Sequence, residues 1–278
     1  MESKNMTLNC NSKILEFNNK KIMGILNISS DSFYDGGNYT DLESATTRVS
    51  EMINEGADII DLGAVTSKPG SEIINGLDEL KIVSKFIDEI SLNFSKIILS
   101  IDTYNSEVAE YALNKGFSII NDISAGKYDE RLIDVVKDYN AGYVLMHMKG
   151  DPSNMQLNPE YSNVYNTVFD FFEKKIEILS RKGINNIIID PGFGFGKTID
   201  HNFELLEKLN DFKVFKKPIL VGLSRKSMIY KYLNLTPNDS LNGTTTLNTI
   251  ALEKGANILR VHDVKEANEC KKLLEKLN

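Results

Sequence analysis

The feature that most constrains this chain is a rhythm. Eight short apolar runs, at 21–26, 57–62, 97–101, 117–120, 143–146, 187–189, 218–222 and 257–261, alternate with segments of helical pattern. Runs this short and this apolar read as parallel strands buried on both faces, with helices packed outside them. The intervening helices are predicted near 41–55, 77–91, 106–114, 131–139, 163–182, 203–209, 245–254 and 266–277. Asp41 suits an N-cap and Gly56 a C-terminal stop for the first of them. Eight such units over roughly 260 residues fit a closed (β/α)8 TIM barrel better than an open doubly wound sheet. A further apolar stretch at 13–17, followed by Asn18-Asn19, predicts a short N-terminal β-hairpin within residues 1–20. No Pro/Gly/Ser-rich linker divides the chain, so residues 1–278 are expected to form a single domain.

Composition excludes several classes of function. The net charge of −7 offers no basic field for nucleic acid. No apolar run approaches the ~20 residues of a membrane span, and the N-terminus lacks a signal-type apolar core. A cytoplasmic protein is expected. Cys10 and Cys270 match no zinc spacing and no redox motif, so free thiols are expected.

In a barrel of this kind, side chains at the C-terminal strand ends build the site. Those positions hold Asn27, Asp61, Asp102, Asn121, His147, Asp190, Lys226, Arg260 and His262. Asp102, Asn121 and Asp190 supply acceptors from three strands. A carboxylate can accept two parallel N–H bonds from a heterocycle, and an amide reads a lactam-like edge. Taken singly, each could instead cap a loop. Arg260 and His262, two residues apart on one strand, form a cationic pair that with Asn27 suits a phosphate or pyrophosphate, and Arg260 could also stack on a ring. Ser224, Arg225 and Lys226 add donors beside them.

The segment DPGFGFGK at 190–197 is not a P-loop, because Pro191 stands where that motif needs glycine. Its glycines read as allowing close approach of backbone to a ligand, with Phe193 and Phe195 as walls. Met146 reads equally as pocket wall or core. His201 reads as a solvated or capping residue.

Taken together, IMGILNISSDSFYDGG, GADIIDLG, SIDTYNSEVAEYAL, IINDISAG, LMHMKGDPSNMQ, IIIDPGFGFGKT, LVGLSRKSMI and ILRVHDVKE, in order from residue 22 to 266, resemble the dihydropteroate synthase family of pterin-binding TIM barrels. The resemblance implies condensation of 6-hydroxymethyl-7,8-dihydropterin pyrophosphate with 4-aminobenzoate, giving 7,8-dihydropteroate and pyrophosphate in folate synthesis. It implies that Asp102, Asn121, Asp190 and Lys226 hold the pterin, beside Met146, and that Arg260 stacks on it. It further implies that Arg260, His262 and Asn27 bind the pyrophosphate, that Asn27 helps ligate Mg2+, and that Ser224 and Lys226 border the aminobenzoate, beside Phe195. Asp35, from the first loop, is expected to stabilise a cationic pterin intermediate. A homodimer is implied as well.

One stretch departs from the family. Its second loop usually reads Gly-Glu-Ser-Thr-Arg-Pro-Gly; here it is Ala64-Val65-Thr66-Ser67-Lys68-Pro69-Gly70. Ser67 keeps a hydroxyl for pyrophosphate or aminobenzoate, and Lys68 keeps the charge without the bidentate fork. Ser30 replaces a usual proline in the first loop. Retained activity with altered affinity for aminobenzoate or sulfonamides is expected. Two other readings compete: a methyltetrahydrofolate methyltransferase, which shares the barrel but does not need the Arg260/His262 pair, and a catalytically silent pterin-binding subunit.

Overall fold

The computed structural model describes residues 6–28, 41–64 and 73–277. Two strands, β1 (Thr7–Cys10) and β2 (Lys13–Glu16), form an antiparallel hairpin. The eight parallel strands follow: β3 (Lys21–Asn27), β4 (Ile59–Gly63), β5 (Ile98–Asp102), β6 (Ile119–Asp122), β7 (Gly142–Met146), β8 (Ile187–Asp190), β9 (Leu220–Val221) and β10 (Ile258–Val261). They pair in the order β8-β7-β6-β5-β4-β3-β10-β9. A parallel bridge from Ile189 to Ile219 and the Ile189 N–H donating to the Pro218 carbonyl (2.9 Å) join the two ends. The barrel is therefore closed, as the strand rhythm predicts.

The helices are α1 (Leu42–Glu55), α2 (Gly76–Asn93), α3 (Ser106–Asn114), α4 (Arg131–Asp138), α5 (Val164–Arg181), α6 (Ile199–Glu207), α7 (Ser227–Tyr230), α8 (Leu241–Glu253) and α9 (Val264–Leu277). Asp41 caps α1 by accepting from the Ser44 N–H, and Gly56 ends it at φ 105°. Outward strand residues such as Ile60, Leu62, Ile101, Tyr143 and Val261 pack on the helices in one continuous core. Inward residues Met23, Ile59, Ile119, Val144, Ile188, Leu220 and Ile258 form a second core, and Leu8, Cys10 and Leu15 of the hairpin pack into it. The hairpin is thus a plug at the N-terminal end of the barrel. Gly142 is needed under it: a Cβ there would lie 2.8 Å from Cys10 Sγ.

Three local expectations need correction. The seventh barrel strand is only two residues long, because Pro218 has no N–H to give and Gly222 leads directly into the loop. Helix α6 begins at Ile199, not 203. Thr198 and His201 close a capping box, each side chain accepting the other's N–H at 3.2 Å, a box that is unusual in using His in place of Glu or Gln. Phe193 is not a pocket wall but fully buried in the helix–strand core. Both cysteines are free thiols. Among the described residues, no helix is long and apolar enough to cross a membrane.

Candidate active site

On four strands the inward positions change character two residues along. Ile59 is followed by Asp61, Ile119 by Asn121, Ile188 by Asp190 and Ile258 by Arg260. Polar groups from these four strands therefore sit above the apolar floor, and Asp102 at the end of β5 joins them. Arg260 is their hub. Its Nε donates to Asp61 Oδ2 at 2.7 Å and its terminal nitrogen to Asp102 Oδ2 at 2.6 Å. Asn121 Nδ2 donates to the same Asp61 oxygen at 2.9 Å, which leaves the Asn121 carbonyl for a ligand. Asp61 is completely buried, and its second oxygen has no hydrogen-bond partner.

Asn27 and Asp102 converge on Gly63, where a Cβ would lie 3.6 Å from Asn27 Oδ1 and 3.7 Å from Asp102 Oδ2. Gly222 does the same between Arg260 and Lys226, with its would-be Cβ 3.9 Å from Arg260 Cβ and from Lys226 Nζ. The absence of side chains at these two positions leaves room between charged groups. Lys226 Nζ donates to the Phe193 carbonyl and lies 4.6 Å above the Phe195 ring. Asp190 Oδ1 accepts the Gly192 N–H at 2.7 Å.

Electrostatics follow from burial. Burial pushes the Asp102 and Asp190 carboxyls upward, against the pull of Arg260 on the first and of Lys226 on the second. Burial lowers Lys226 to about 8, with Asp190 opposing. His262 falls to about 4, through burial and then the neighbouring Arg260 charge. These shifts favour a charged Arg260 beside a neutral His262 imidazole near neutral pH. Its backbone N–H donates to Ser224 Oγ at 3.2 Å, which ties the β9 and β10 ends together.

The family model described as "Pterin binding enzyme" matches residues 23–262. The dihydropteroate synthase of Escherichia coli K12 is 38% identical over 263 residues, covering 94% of this chain and 93% of that enzyme. The chain belongs to the dihydropteroate synthase family. A Yersinia pestis member crystallised with a sulfonamide drug superposes with a TM-score of 0.93, at 35% identity and 98% coverage of both chains. A Xanthomonas albilineans member crystallised with 4-aminobenzoic acid gives 0.90, at 32% identity, covering 99% of this chain and 98% of that one.

Seen within this family, the sequence-predicted residues divide. Asn27, Asp102, Asn121, Asp190, Lys226, Arg260 and His262 come from the C-terminal ends of five strands and the loop after β9. Met146 is buried with Tyr104 and Ile123, with Phe195 packed on the same cluster, so it serves as both core and wall. Ser30, Asp35, Val65, Ser67 and Lys68 lie outside the described residues. Two groups escaped the sequence reading. Asp61 stood among the strand ends, yet nothing in sequence marked it as the shared acceptor of Arg260 and Asn121. Lys197 closes the DPGFGFGK segment and has no role assigned from sequence. It is buried, and burial lowers it to about 7.

The family implies Mg2+, and the residues fit it. An amide oxygen is a hard ligand, and Mg2+ characteristically takes one or two protein ligands and completes its shell with substrate phosphates and water. Asn27 Oδ1 faces the site, and no cluster of three acidic, His or Cys ligands competes for the ion among the described residues.

Proposed function

We propose that this chain joins 6-hydroxymethyl-7,8-dihydropterin pyrophosphate to 4-aminobenzoate, releasing 7,8-dihydropteroate and pyrophosphate in folate biosynthesis. The observation that carries the reading is the alternation of acceptors and cations inside the barrel. Asp102, Asn121 and Asp190 offer acceptors to the N–H edge of a pterin, and Lys226 donates to its ring acceptors. Arg260, held flat by Asp61 and Asp102, presents a guanidinium face for stacking.

The exocyclic C–O bond breaks, and its electron pair leaves with the pyrophosphate. The pterin ring carries the resulting positive charge, and Asp35 from the first loop is assigned to stabilise it. Arg260 stabilises the leaving group as a preorganised cation, and His262, which takes a proton from solvent as the pyrophosphate binds, adds a second positive charge there. Asn27 would help hold Mg2+ beside the leaving group, where the ion would supply further neutralisation. The amine nitrogen of 4-aminobenzoate, oriented by Ser67, Lys68, Phe195 and Ser224, then bonds to the exocyclic carbon, and its proton passes to solvent. No strong base is needed, since the amine is already unprotonated near neutral pH; orientation carries much of the rate.

Pyrophosphate release measured with and without 4-aminobenzoate, in Mg2+, tests this. Release that depends on 4-aminobenzoate supports the synthase. Pterin binding without release refutes it in favour of a silent binding subunit. The same reading carries a homodimer acting in the cytoplasm, and sedimentation at a mass near 31.2 kDa rather than twice that would remove the dimer.

A further inference from the structure

The loop between β8 and α6 has every carbonyl from 192 to 196 held by a side chain. Gly192 and Phe195 carbonyls accept from Lys197 Nζ at 2.9 and 3.0 Å. The Phe193 carbonyl accepts from Lys226, Gly194 from Gln156 and Gly196 from the Tyr161 hydroxyl (2.8 Å). Three of these residues, Gly192, Gly194 and Gly196, adopt φ of +70°, +83° and +64°. That backbone turns its carbonyls in different directions, and free in water it would not hold one shape. Lys197 Nζ also lies 3.1 Å from the His147 carbonyl and 3.1 Å from His147 Nδ1. Its whole hydrogen-bonding capacity is spent inside the protein, where it is only 3% exposed.

We propose that Lys197 is a positioning residue for the pterin site, acting through the peptide units it clamps. This rests on the reading of function above. The two loop carbonyls it binds, Gly192 and Phe195, lie on either side of the Phe193 carbonyl that receives Lys226, so the amine of Lys226 is placed by a backbone that Lys197 shapes. The Gly192 peptide unit links Lys197 to the pterin acid: its N–H goes to Asp190 Oδ1 and its carbonyl to Lys197. The Phe195 carbonyl fixes the residue whose ring lies under Lys226. One buried amine therefore sets Asp190, Lys226 and Phe195 relative to each other without touching substrate. Through His147 it also ties this loop to the end of β7.

The mechanism predicts coupling with Lys226, which a residue that only stabilises the fold would not show. Lys197→Met and Lys226→Met are made singly and together, and kcat and KM for the pterin pyrophosphate are measured. Each single change is expected to lower kcat/KM by about 10- to 100-fold, the range for losing charge-assisted hydrogen bonds. The double variant should fall little below the worse single one, because both changes release the same loop. Losses that multiply, or a folded Lys197→Met enzyme with wild-type constants, overturn the proposal. Should Lys197→Met not fold, Lys197→Gln, which keeps a donor, enters the same cycle with the same expectations. A wild-type chain that releases no pyrophosphate refutes the function instead. The cycle is then read from fluorescence titration with 6-hydroxymethylpterin, where additive losses still overturn the positioning role.

Discussion

The two ends of this barrel are built on the same strands and obey opposite rules. At the N-terminal end the inward residues Met23, Ile59, Ile119, Val144, Ile188, Leu220 and Ile258 meet the hairpin's Leu8, Cys10 and Leu15 in a dry, sealed core. One inward step up, the same wall carries Asp61, Asn121, Asp190 and Arg260. Burial stabilises the lower layer outright. The upper layer must be neutralised by its own members, since an unpaired buried charge is costly. Arg260 answers two carboxylates at once. The hairpin closes the floor of the barrel, and the polar groups gather toward the opposite end of the same strands.

The largest expected break in that comparison is Arg260→Met. It removes the stacking face and the main cation of the leaving-group site, and kcat/KM should fall about 10²- to 10³-fold. It also leaves Asp61 and Asp102 facing each other, at a cost of about 3 kcal/mol in denaturant unfolding. A loss of activity below tenfold would show that Arg260 is structural. The converse change, Leu15→Ala in the plug, should cost about 2–4 kcal/mol of stability. Its kcat/KM should stay within about twofold of wild type, because plug and site are distant and share no partner. Parallel losses of stability and rate in that variant would show that the floor and the site are one unit.

Much of this division is legible in the sequence. The eight apolar runs are visible because each is bounded by a helix signal or a glycine, and their last residues are visible as a set because a closed barrel places every strand end on one face. What is not legible is which polar group answers which. Arg260 and Asp61 are 199 positions apart, and no local pattern links them. His262 reads as a cation from its neighbours in sequence, yet its charge is decided by burial and by Arg260. Lys197 sits in a glycine-rich segment that reads as backbone approaching a ligand, and only the folded loop shows five carbonyls needing donors. The short β9 and the early start of α6 were hidden for a local reason, a proline's missing N–H and a histidine acting as a capping side chain.

A smaller effect tests the electrostatic contrast through pH. Folded His262 has its pKa depressed from 6.5 to about 4 by burial, with Arg260, Arg225 and Lys226 lowering it and Asp263 opposing. A bound pyrophosphate adds negative charge and raises it again, so binding takes up a proton. Affinity for pyrophosphate should therefore grow as pH falls from about 7 towards 5, by up to about tenfold per pH unit once below the raised value. A His262→Gln variant removes this component while keeping the pyrophosphate's own titration, so the difference between the two inhibition profiles isolates it. Superimposable profiles would mean that His262 stays neutral in the complex.

The smallest effect concerns the second loop, where the chain departs from its family at Val65, Ser67 and Lys68. These residues follow β4 in the sequence, among the strand-to-helix loops that build the site in a barrel of this kind, so changes there should alter substrate affinity without disturbing the core. Lysine at 68 can meet an anion as a point charge but cannot present the two parallel N–H groups of arginine. Valine at 65 removes a carboxylate that the family usually keeps there. The double change Val65→Glu, Lys68→Arg should therefore shift KM for 4-aminobenzoate, or the inhibition constant of a sulfonamide, by about 3- to 10-fold, the value of one charge-assisted contact at a partly exposed site. Unfolding free energy should not move, and kcat should move least of the kinetic constants, since the proposed mechanism assigns the bond that breaks to Arg260 and Asn27. Constants indistinguishable from wild type would show that the departures are silent and that the polar ring inside the barrel alone sets how the substrates are held.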